Sequence, residues 1–322
     1  MVLAIGAEII LRSKGFRPWQ LSDVAIKVNP GGKLYNRHPT LGYVHIPGKF
    51  TVTLPDGYSF QMTHLPNTLR ITHPLSTYKE PGQKGEIWIL GCSYTHGWSL
   101  NDQETFPWLL QERFPEYEVV NFGVGGYGTM HSLIQLREAL KQGRVPKFVV
   151  LAYAGFHIER NVFLRTEKKS VAPYNKLGPV LHPYARIDEH GKLSYGLAGI
   201  EYYELPLMRY SALVHSFEEI FNRFEANYYH IREVTEALIL EMSSIAKNNK
   251  IPFVLAGITQ SQGTSKMLEF AQHNGVQVLD IAVNLSVPEN SNLPHDCHPS
   301  ADANRKYADK LEAFLRAAGV SN

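Results

Sequence analysis

The sequence has few of the features that would assign it to a special class of protein. Its 322 residues carry a formal net charge of only +2, and no basic run of the kind that follows phosphates is present. This excludes the strong positive field of a typical nucleic-acid-binding protein. With only two cysteines, the chain has neither a disulfide framework nor a zinc-ligand spacing. We therefore expect no nucleic-acid partner and no metal.

Long hydrophobic runs are also missing. The apolar segment 2–11 contains Glu8 and is far shorter than the roughly 20 residues that cross a bilayer. It lacks the basic leader and the cleavage site of a signal peptide. Two interpretations stay open: an amphipathic helix, or the stub of a membrane anchor from a truncated N-terminus. The first predicts a cytoplasmic protein, and the second a membrane-anchored or extracytoplasmic one.

The sequence pattern of the chain changes at about residue 85. Residues 1–85 contain short strand-like runs at 50–54 and 58–62, separated by clusters of Gly, Pro and Asp. Such clusters between alternating runs are typical of antiparallel hairpins. We predict a small N-terminal β-rich appendage that ends in a linker at 81–85.

Strands and helices alternate in the second part, 86–322, which we predict to be the larger domain of the chain. The alternation is typical of a mainly parallel sheet with helices on both faces. Five strands are predicted, at 87–90, 118–121, 148–154, 253–257 and 276–281. A segment at about 159–230 breaks the alternation, with many aromatic residues and a predicted hairpin near 189–192. Because it leaves the carboxyl edge of the sheet, we interpret it as a lid-like insertion; a packing or oligomer contact is the alternative.

The first of these strands ends in a turn that carries a serine. Residues 87–90 are large and apolar, and Gly91, Cys92 and Ser93 follow at once. In an open parallel sheet this turn lies at the carboxyl edge, where ligands bind. A serine hydroxyl is a good nucleophile only when a base accepts its proton. Ser93 is therefore a candidate nucleophile that needs a partner from elsewhere in the chain.

A candidate base and its orienting acid stand just before the last helix. Asp296 precedes His298 by two residues, so in an extended loop both side chains point to the same side. Asp296 would fix the tautomer of His298, whose other nitrogen would accept the proton of Ser93. The alternatives are solvated loop residues or a metal site that includes His295, although a hard metal would want a further carboxylate.

A glycine-rich loop follows the second strand at the same edge of the sheet. Its backbone N–H groups are suited to stabilise a developing oxyanion, because glycines let the backbone approach a substrate closely. The spacing of Gly123, Gly125 and Gly128 also matches a dinucleotide-binding fingerprint. We disfavour that interpretation because the loop follows the second strand and no acidic residue ends the next strand. No cofactor is predicted.

Three blocks together resemble those of the SGNH hydrolases, also called GDSL esterases and lipases. The blocks are Gly91-Cys92-Ser93-Tyr94-Thr95-His96-Gly97, Asn121-Phe122-Gly123-Val124-Gly125-Gly126 and Asp296-Cys297-His298-Pro299. The resemblance covers residues 86–322. It implies an α/β protein with a three-layer α/β/α, flavodoxin-like fold and a five-stranded sheet. It also implies a serine esterase that forms an acyl-enzyme on an O-acylated carbohydrate or lipid.

The resemblance also implies roles for individual residues. Ser93 would be the nucleophile, His298 the general base and Asp296 its orienting acid. The backbone N–H groups of Ser93 and Gly126 would form an oxyanion hole, which the family completes with an asparagine after the third strand. His157 stands about where that asparagine belongs, and a neutral imidazole can donate one hydrogen bond.

Several departures from the family pattern accompany these roles. Cys92 replaces the usual aspartate beside the nucleophile, and His295 stands three residues before His298, where the family often has its acid. Asn161 is the second candidate for the missing asparagine. Because Cys92 and Cys297 flank the nucleophile and the base, a bridge between them is the alternative to two free thiols.

Three functions stay open at this level. The first is an ester hydrolase, and the second is an O-acyltransferase that passes the same acyl group to a sugar hydroxyl. The third is an inactive module that binds carbohydrate or lipid. The expected partner is a small-molecule, lipid or carbohydrate ester, and membrane association is expected only if an N-terminal anchor has been removed.

Overall fold

The structure, a computed structural model, describes residues 2–21, 25–77 and 84–320, so the predicted linker at 81–85 lies mostly outside the described residues. The elements of the N-terminal part are α1 (Val2–Ser13), β1 (Lys27–Asn29), β2 (Tyr35–His38), β3 (Gly42–His45), β4 (Gly48–Thr53) and β5 (Ser59–His64). Strands β1, β4 and β5 form an antiparallel sheet, and β2 pairs with β3. The runs predicted as strands at 50–54 and 58–62 correspond to β4 and β5.

The remainder of the chain contains the alternating elements. Its strands are β6 (Glu86–Leu90), β7 (Glu118–Asn121), β8 (Phe148–Tyr153), β9 (Leu181–Ile187), β10 (Leu193–Gly199), β11 (Phe253–Thr259) and β12 (Gln277–Val283). Its helices are α2 (Ser93–His96), α3 (Phe106–Arg113), α4 (Thr129–Lys141), α5 (His157–Val162), α6 (Arg165–Val171), α7 (Ala212–Tyr228), α8 (Ile231–Asn248), α9 (Gln262–His273) and α10 (Ala301–Ala317).

Five of these strands form one parallel sheet in the order β7-β6-β8-β11-β12. Successive residues of β6 face opposite sides, as the period of a strand requires. Trp88 and Leu90 pack with α4, α8 and α9, whereas Ile87 and Ile89 pack with α3 and α10. The prediction of a three-layer α/β/α fold with a five-stranded, mainly parallel sheet is confirmed.

The segment 159–230 has secondary structure of its own. It contains α6, the antiparallel hairpin β9–β10 and α7, and the hairpin turns between Asp188 and Lys192, where the sequence predicts it. Strand β9 packs on α5 and α8, beside the main sheet. The role of this segment as a lid stays a prediction.

Helix α1 contains the apolar segment 2–11 and packs on the start of α7. The Glu8 carboxylate accepts hydrogen bonds from the backbone N–H groups of Leu213 (2.9 Å) and Ala212 (3.0 Å) and from Ser211 Oγ (2.8 Å). The two backbone bonds do most to lower the pKa of Glu8, to about 2. No helix among the residues described is long and apolar enough to cross a membrane.

Arg70 joins the N-terminal part to the main sheet through its backbone. It forms one antiparallel bridge with His64 at the end of β5 and another with Asn121 at the end of β7. Backbone hydrogen bonding therefore continues from the N-terminal sheet into the edge of the parallel sheet. The two parts are consequently joined by backbone hydrogen bonds.

The side chain of Arg70 is buried against the turn that follows α2. Its guanidinium donates to the carbonyl oxygens of His96 (2.8 Å), Gly97 (2.5 Å) and Leu100 (2.7 Å) and to the carboxylate of Asp102 (3.1 Å). Only 1% of the residue is exposed. A buried guanidinium is tolerated only when its donors are satisfied, and these partners satisfy them.

Replacing Arg70 by methionine should destabilise the whole protein. We expect Arg70→Met to lower the free energy of unfolding by about 3–5 kcal/mol, because the buried carbonyls and the Asp102 carboxylate lose their donor. The matched control is Arg232→Met, which removes an exposed ion pair with Glu236 on α8 and should cost about 0.5 kcal/mol. Urea unfolding of both variants measures the difference. Equal losses would contradict the scaffold role of Arg70.

Candidate active site

Ser93 begins α2 directly after β6, at the carboxyl edge of the sheet. The turn between them needs glycine: a Cβ on Gly91 would lie 2.1 Å from Thr95 Oγ1 and 3.1 Å from the carbonyl oxygen of Ala152. Gly97 ends the helix in the left-handed region, with a φ of 80°. This tight turn holds the serine at the sheet edge that the sequence predicts.

The structure brings Ser93, His298 and Asp296 together. Ser93 Oγ lies 2.9 Å from His298 Nε2, across 205 residues of chain. His298 Nδ1 is hydrogen-bonded to Asp296 Oδ1, which also accepts the backbone N–H of His298 at 2.6 Å. The indole N–H of Trp98 donates to Asp296 Oδ2 at 3.1 Å. Sequence reasoning missed Trp98, which nothing in the chain near Asp296 indicates.

The charge of Asp296 favours one tautomer of His298. Burial alone would raise the pKa of Asp296, but the hydrogen bonds from His298 and Trp98 outweigh it, and the pKa lies below its ordinary value. The side chain is therefore a carboxylate at neutral pH. A carboxylate at Nδ1 favours the tautomer with the proton on that nitrogen, which leaves Nε2 free to accept a proton from Ser93.

His295, at the position where the family often has its acid, turns towards the N-terminal part. Its Nδ1 lies 2.5 Å from Asp56 Oδ2, and its ring stacks on Tyr58 with centroids 4.4 Å apart. Its nitrogen is thus engaged by Asp56 rather than shared with Asp296 and His298. Through these contacts, the loop that carries Asp296 and His298 is linked to the turn between β4 and β5.

The first half of the glycine loop is fixed to α2. Asn121 donates to the carbonyl oxygen of Thr95 (3.1 Å) and accepts the N–H of Gly123 (2.9 Å). A Cβ on Gly123 would lie 2.3 Å from the backbone nitrogen of His96. Only glycine allows this approach, so the glycine loop has a fixed position relative to the turn that carries Ser93.

The second half of the loop is held by Tyr43 of β3. Its hydroxyl donates to the carbonyl oxygen of Gly125 at 2.8 Å. Gly126 has a φ of +82°, and a Cβ there would lie 2.3 Å from Tyr43 Oη. The hydroxyl of Tyr127 in turn donates to the carbonyl oxygen of Tyr43. The N-terminal part therefore sets the conformation around Gly126, a contribution that sequence reasoning missed.

His157 is the first residue of α5 and is fully buried. Its ring packs edge-on against Tyr153 and Phe156, and neither ring nitrogen has a hydrogen-bond partner among the residues described. Burial, helped by the charge of Arg160, lowers its pKa well below the ordinary value. The imidazole is neutral and carries one N–H that no group in the described part of the chain accepts.

Asn161, the second candidate for the missing asparagine, is already engaged. Its Oδ1 accepts the N–H of Met130 at 2.9 Å, and its amide donates to Thr235 Oγ1 at 2.8 Å. The side chain therefore ties the start of α4 to α8. By contrast, neither ring nitrogen of His157 has a hydrogen-bond partner among the residues described.

Both cysteines are free thiols. Cys92 is buried beside Ser93, whereas Cys297 is exposed on the loop between Asp296 and His298. Burial raises the pKa of the Cys297 thiol, and the charge of Asp296 adds to this effect. The alternative of a bridge between the two cysteines is not realised in the structure.

Three buried histidines lie behind α2 and form the histidine cluster: His45 of β3, His64 of β5 and His96 of α2. His64 Nε2 and His96 Nε2 are 3.0 Å apart, and the ring of His45 stacks on those of His64 (4.0 Å, 11° between planes) and His96 (4.4 Å). Imidazole nitrogens bind zinc and similar ions through lone pairs in the ring plane. The ring of His45 is stacked on those of His64 and His96, so its lone pairs lie in a plane separate from theirs. His64 and His96 share a hydrogen bond between their Nε2 atoms. In this arrangement the cluster is one hydrogen-bonded pair with a third ring stacked on it.

Comparisons with known proteins place the chain near one group of structures. Neither a scan against protein families nor a search of curated proteins finds a match. Among solved structures, a member of the lipolytic G-D-S-L family from Veillonella parvula DSM 2008 is 11% identical with a TM-score of 0.42, covering 72% of this chain and 98% of its own. A GDSL-like lipase from Bacteroides thetaiotaomicron VPI-5482 is 13% identical with a TM-score of 0.40, covering 77% and 93%.

A third similar structure, AlinE4, is described as an SGNH-hydrolase family esterase. It is 14% identical with a TM-score of 0.35, and the match covers 74% of this chain and 94% of AlinE4. Similarity of this degree does not establish an activity, and the chemistry has to be inferred from the residues of the site.

The histidine cluster should make the protein labile in acid. Burial lowers the pKa of His45 to about 3, and it also lowers those of His64 and His96 well below the ordinary value. The unfolded chain takes up these protons near pH 6.5, so stability is complete above that pH and falls below it, by up to about 1.4 kcal/mol per pH unit for each histidine. Urea unfolding at several pH values between neutrality and mild acid measures the slope.

Two variants test the source of this slope. His45→Phe should reduce the proton uptake on unfolding by about one, because the cluster then has one titrating ring fewer. His190→Gln, which changes a largely exposed histidine, should leave the slope unchanged. A slope that is the same in His45→Phe and the wild type would show that the cluster does not cause it.

Proposed function

We propose that this protein is a serine ester hydrolase of the SGNH type. The observation that carries the proposal is the 2.9 Å contact between Ser93 Oγ and His298 Nε2, with the Asp296 carboxylate at the other ring nitrogen. A nucleophile, a base and an orienting acid in this order form the constellation that activates serine for attack on an acyl carbon.

The proposed reaction has two halves. Ser93 Oγ attacks the ester carbonyl carbon while His298 Nε2 takes the hydroxyl proton, and the Asp296 carboxylate stabilises the imidazolium that results. The tetrahedral intermediate then expels the alcohol, which receives the proton from His298. In the second half His298 deprotonates a water molecule, which attacks the acyl-Ser93 ester and releases the acid.

Three donors are proposed for the negative charge on the carbonyl oxygen. Two are the backbone N–H groups of Ser93 and Gly126, and the third is the ring of His157. The fixed conformation of the glycine loop supports the role of Gly126, since a preorganised donor needs no rearrangement during the reaction. The free N–H of His157 supports its place as the substitute for the family's asparagine.

The surroundings of the site favour an ester with an apolar or ring-shaped part. Tyr94 packs edge-on against His298 (5.4 Å between centroids) and against Phe156 (5.7 Å). The guanidinium of Arg160 lies over the ring of Phe156 at 4.5 Å. Aromatic faces of this kind bind acyl chains and sugar rings, which supports an O-acylated lipid or carbohydrate as the substrate.

Substitution of Ser93 tests the nucleophile. Ser93→Ala should abolish labelling by a fluorophosphonate probe and lower kcat/KM for p-nitrophenyl acetate by at least about 10³-fold, because no acyl-enzyme can form. Ser194→Ala, which removes an exposed hydroxyl on β10, is the matched control and should label normally. A folded wild type that fails to label would instead indicate an inactive binding module. Acyl release that accelerates with added oligosaccharide would indicate transfer to sugar rather than hydrolysis.

Substitution of His157 tests the third donor. We expect His157→Ala to lower kcat by about 100-fold with little change in KM, because the lost bond forms mainly in the transition state. His157→Asn should recover much of this loss by supplying an amide donor. Urea unfolding controls for stability. An unchanged kcat in a folded His157→Ala variant would remove His157 from the oxyanion hole.

A further inference from the structure

Large apolar side chains stand exposed along two neighbouring helices, α1 and α7. Each of them has between 51% and 90% of its surface in contact with solvent. They are Leu3, Ile5, Ile9 and Ile10 on α1, and Phe217, Ile220, Phe221, Phe224 and Tyr228 on α7. We call these residues the apolar face. Monomeric proteins in water rarely expose large apolar side chains in such groups unless the surface binds something.

The apolar face is held in place by specific contacts. The carboxylate of Glu8 binds the first N–H groups of α7, and the guanidinium of Arg12 donates to the carbonyl oxygen of Tyr210 at 2.7 Å. Helix α1 is therefore docked on α7 in a defined way. On α7 the exposed residues recur at helical spacing and form one stripe, while Glu218 and Asn222 lie buried on the other side.

The charges on the two helices indicate the partner. Each acidic residue of α1 and α7 is engaged within the protein: Glu8 with Arg12, Glu218 with Arg165 and Lys169, Glu219 with Lys169, and Glu225 with the backbone N–H of Arg165. By contrast, Lys14, Arg17 and Arg223 are exposed and have no carboxylate partner among the residues described. The charge left for a partner is therefore positive.

Exposed tyrosines accompany this positive charge. Tyr203 and Tyr210, in the segment that leads into α7, and Tyr228, at its end, are 66–77% exposed. Tyrosine favours the boundary between hydrocarbon and water, because its ring is apolar and its hydroxyl is polar. An apolar stripe with basic and tyrosine residues at its borders is the pattern of a helix that lies in the surface of an anionic membrane.

We propose that the apolar face binds the surface of an anionic lipid bilayer, with α1 and α7 lying parallel to it. The apolar side chains enter the boundary of the acyl chains, and Lys14, Arg17 and Arg223 contact the headgroups. This inference does not depend on the role of Ser93. A second copy of the chain would bring the same unpaired basic residues to this face, and the two helices offer no unengaged acidic group to meet them.

Co-sedimentation of the full chain with lipid vesicles tests the proposal. The wild type should bind vesicles of phosphatidylcholine with phosphatidylglycerol more strongly than vesicles of phosphatidylcholine alone, and added salt should weaken the binding. Phe221→Ser combined with Phe224→Ser should reduce the partition coefficient by about tenfold or more. The matched control is Val145→Ser, an exposed apolar residue (61%) before β8, which should bind as the wild type does.

Further variants separate the contributions and the alternatives. Lys14→Glu combined with Arg223→Glu should weaken binding to the anionic vesicles without changing any apolar residue, and Ser93→Ala should bind normally. The proposal is overturned if the wild type does not bind anionic vesicles, or if the phenylalanine variant binds as well as the wild type. It is also overturned if light scattering shows a dimer that the phenylalanine variant converts to a monomer, while neither protein binds vesicles.

Discussion

The buried guanidinium of Arg70 is the contact on which the rest of the structure depends. It fills the space between β5 and the turn after α2, and it donates to the carbonyl groups of His96 (2.8 Å), Gly97 (2.5 Å) and Leu100 (2.7 Å). Without the guanidinium, these carbonyls and the Asp102 carboxylate would stay buried with no donor in its place, which is strongly unfavourable. A division at residue 85 stays a prediction, but this contact favours one cooperative unit.

A similar dependence extends to three segments of the candidate site. Arg70 holds the end of α2, Tyr43 holds the glycine loop through Gly125, and Asp56 holds the acid–base loop through His295. Each contact comes from the N-terminal part. The orientation of a catalytic group to within a fraction of an ångström requires such support from behind. We infer that the N-terminal part is a scaffold for the site.

The sequence predicts those features that local patterns encode. Alternation of apolar strands and amphipathic helices predicts the parallel sheet, and its edge places Ser93 near the loop of His298. The roles of Arg70 and Tyr43 could not be predicted. Both residues contact groups far along the chain, and they lie in the part of the sequence where local patterns indicate only hairpins. Their importance follows from the burial of a polar side chain, and a single sequence does not reveal which polar side chains are buried. The exposure of α1 and α7 is hidden for the same reason, since an apolar stripe usually faces a core.

The position of Asp296, which differs from the pattern of the family that the sequence resembles, also involves both local and distant contacts. With the acid two residues before the base, Asp296 accepts both the ring and the backbone N–H of His298, so one short loop forms the acid–base pair by itself. A pair formed locally still has to be oriented towards Ser93. Two distant contacts support this orientation: Trp98 donates to the second oxygen of Asp296, and Asp56 contacts His295. Because Asp296 contacts His298 in this way, His295 is free to contact Asp56 and Tyr58, and the proposed acid–base pair is retained.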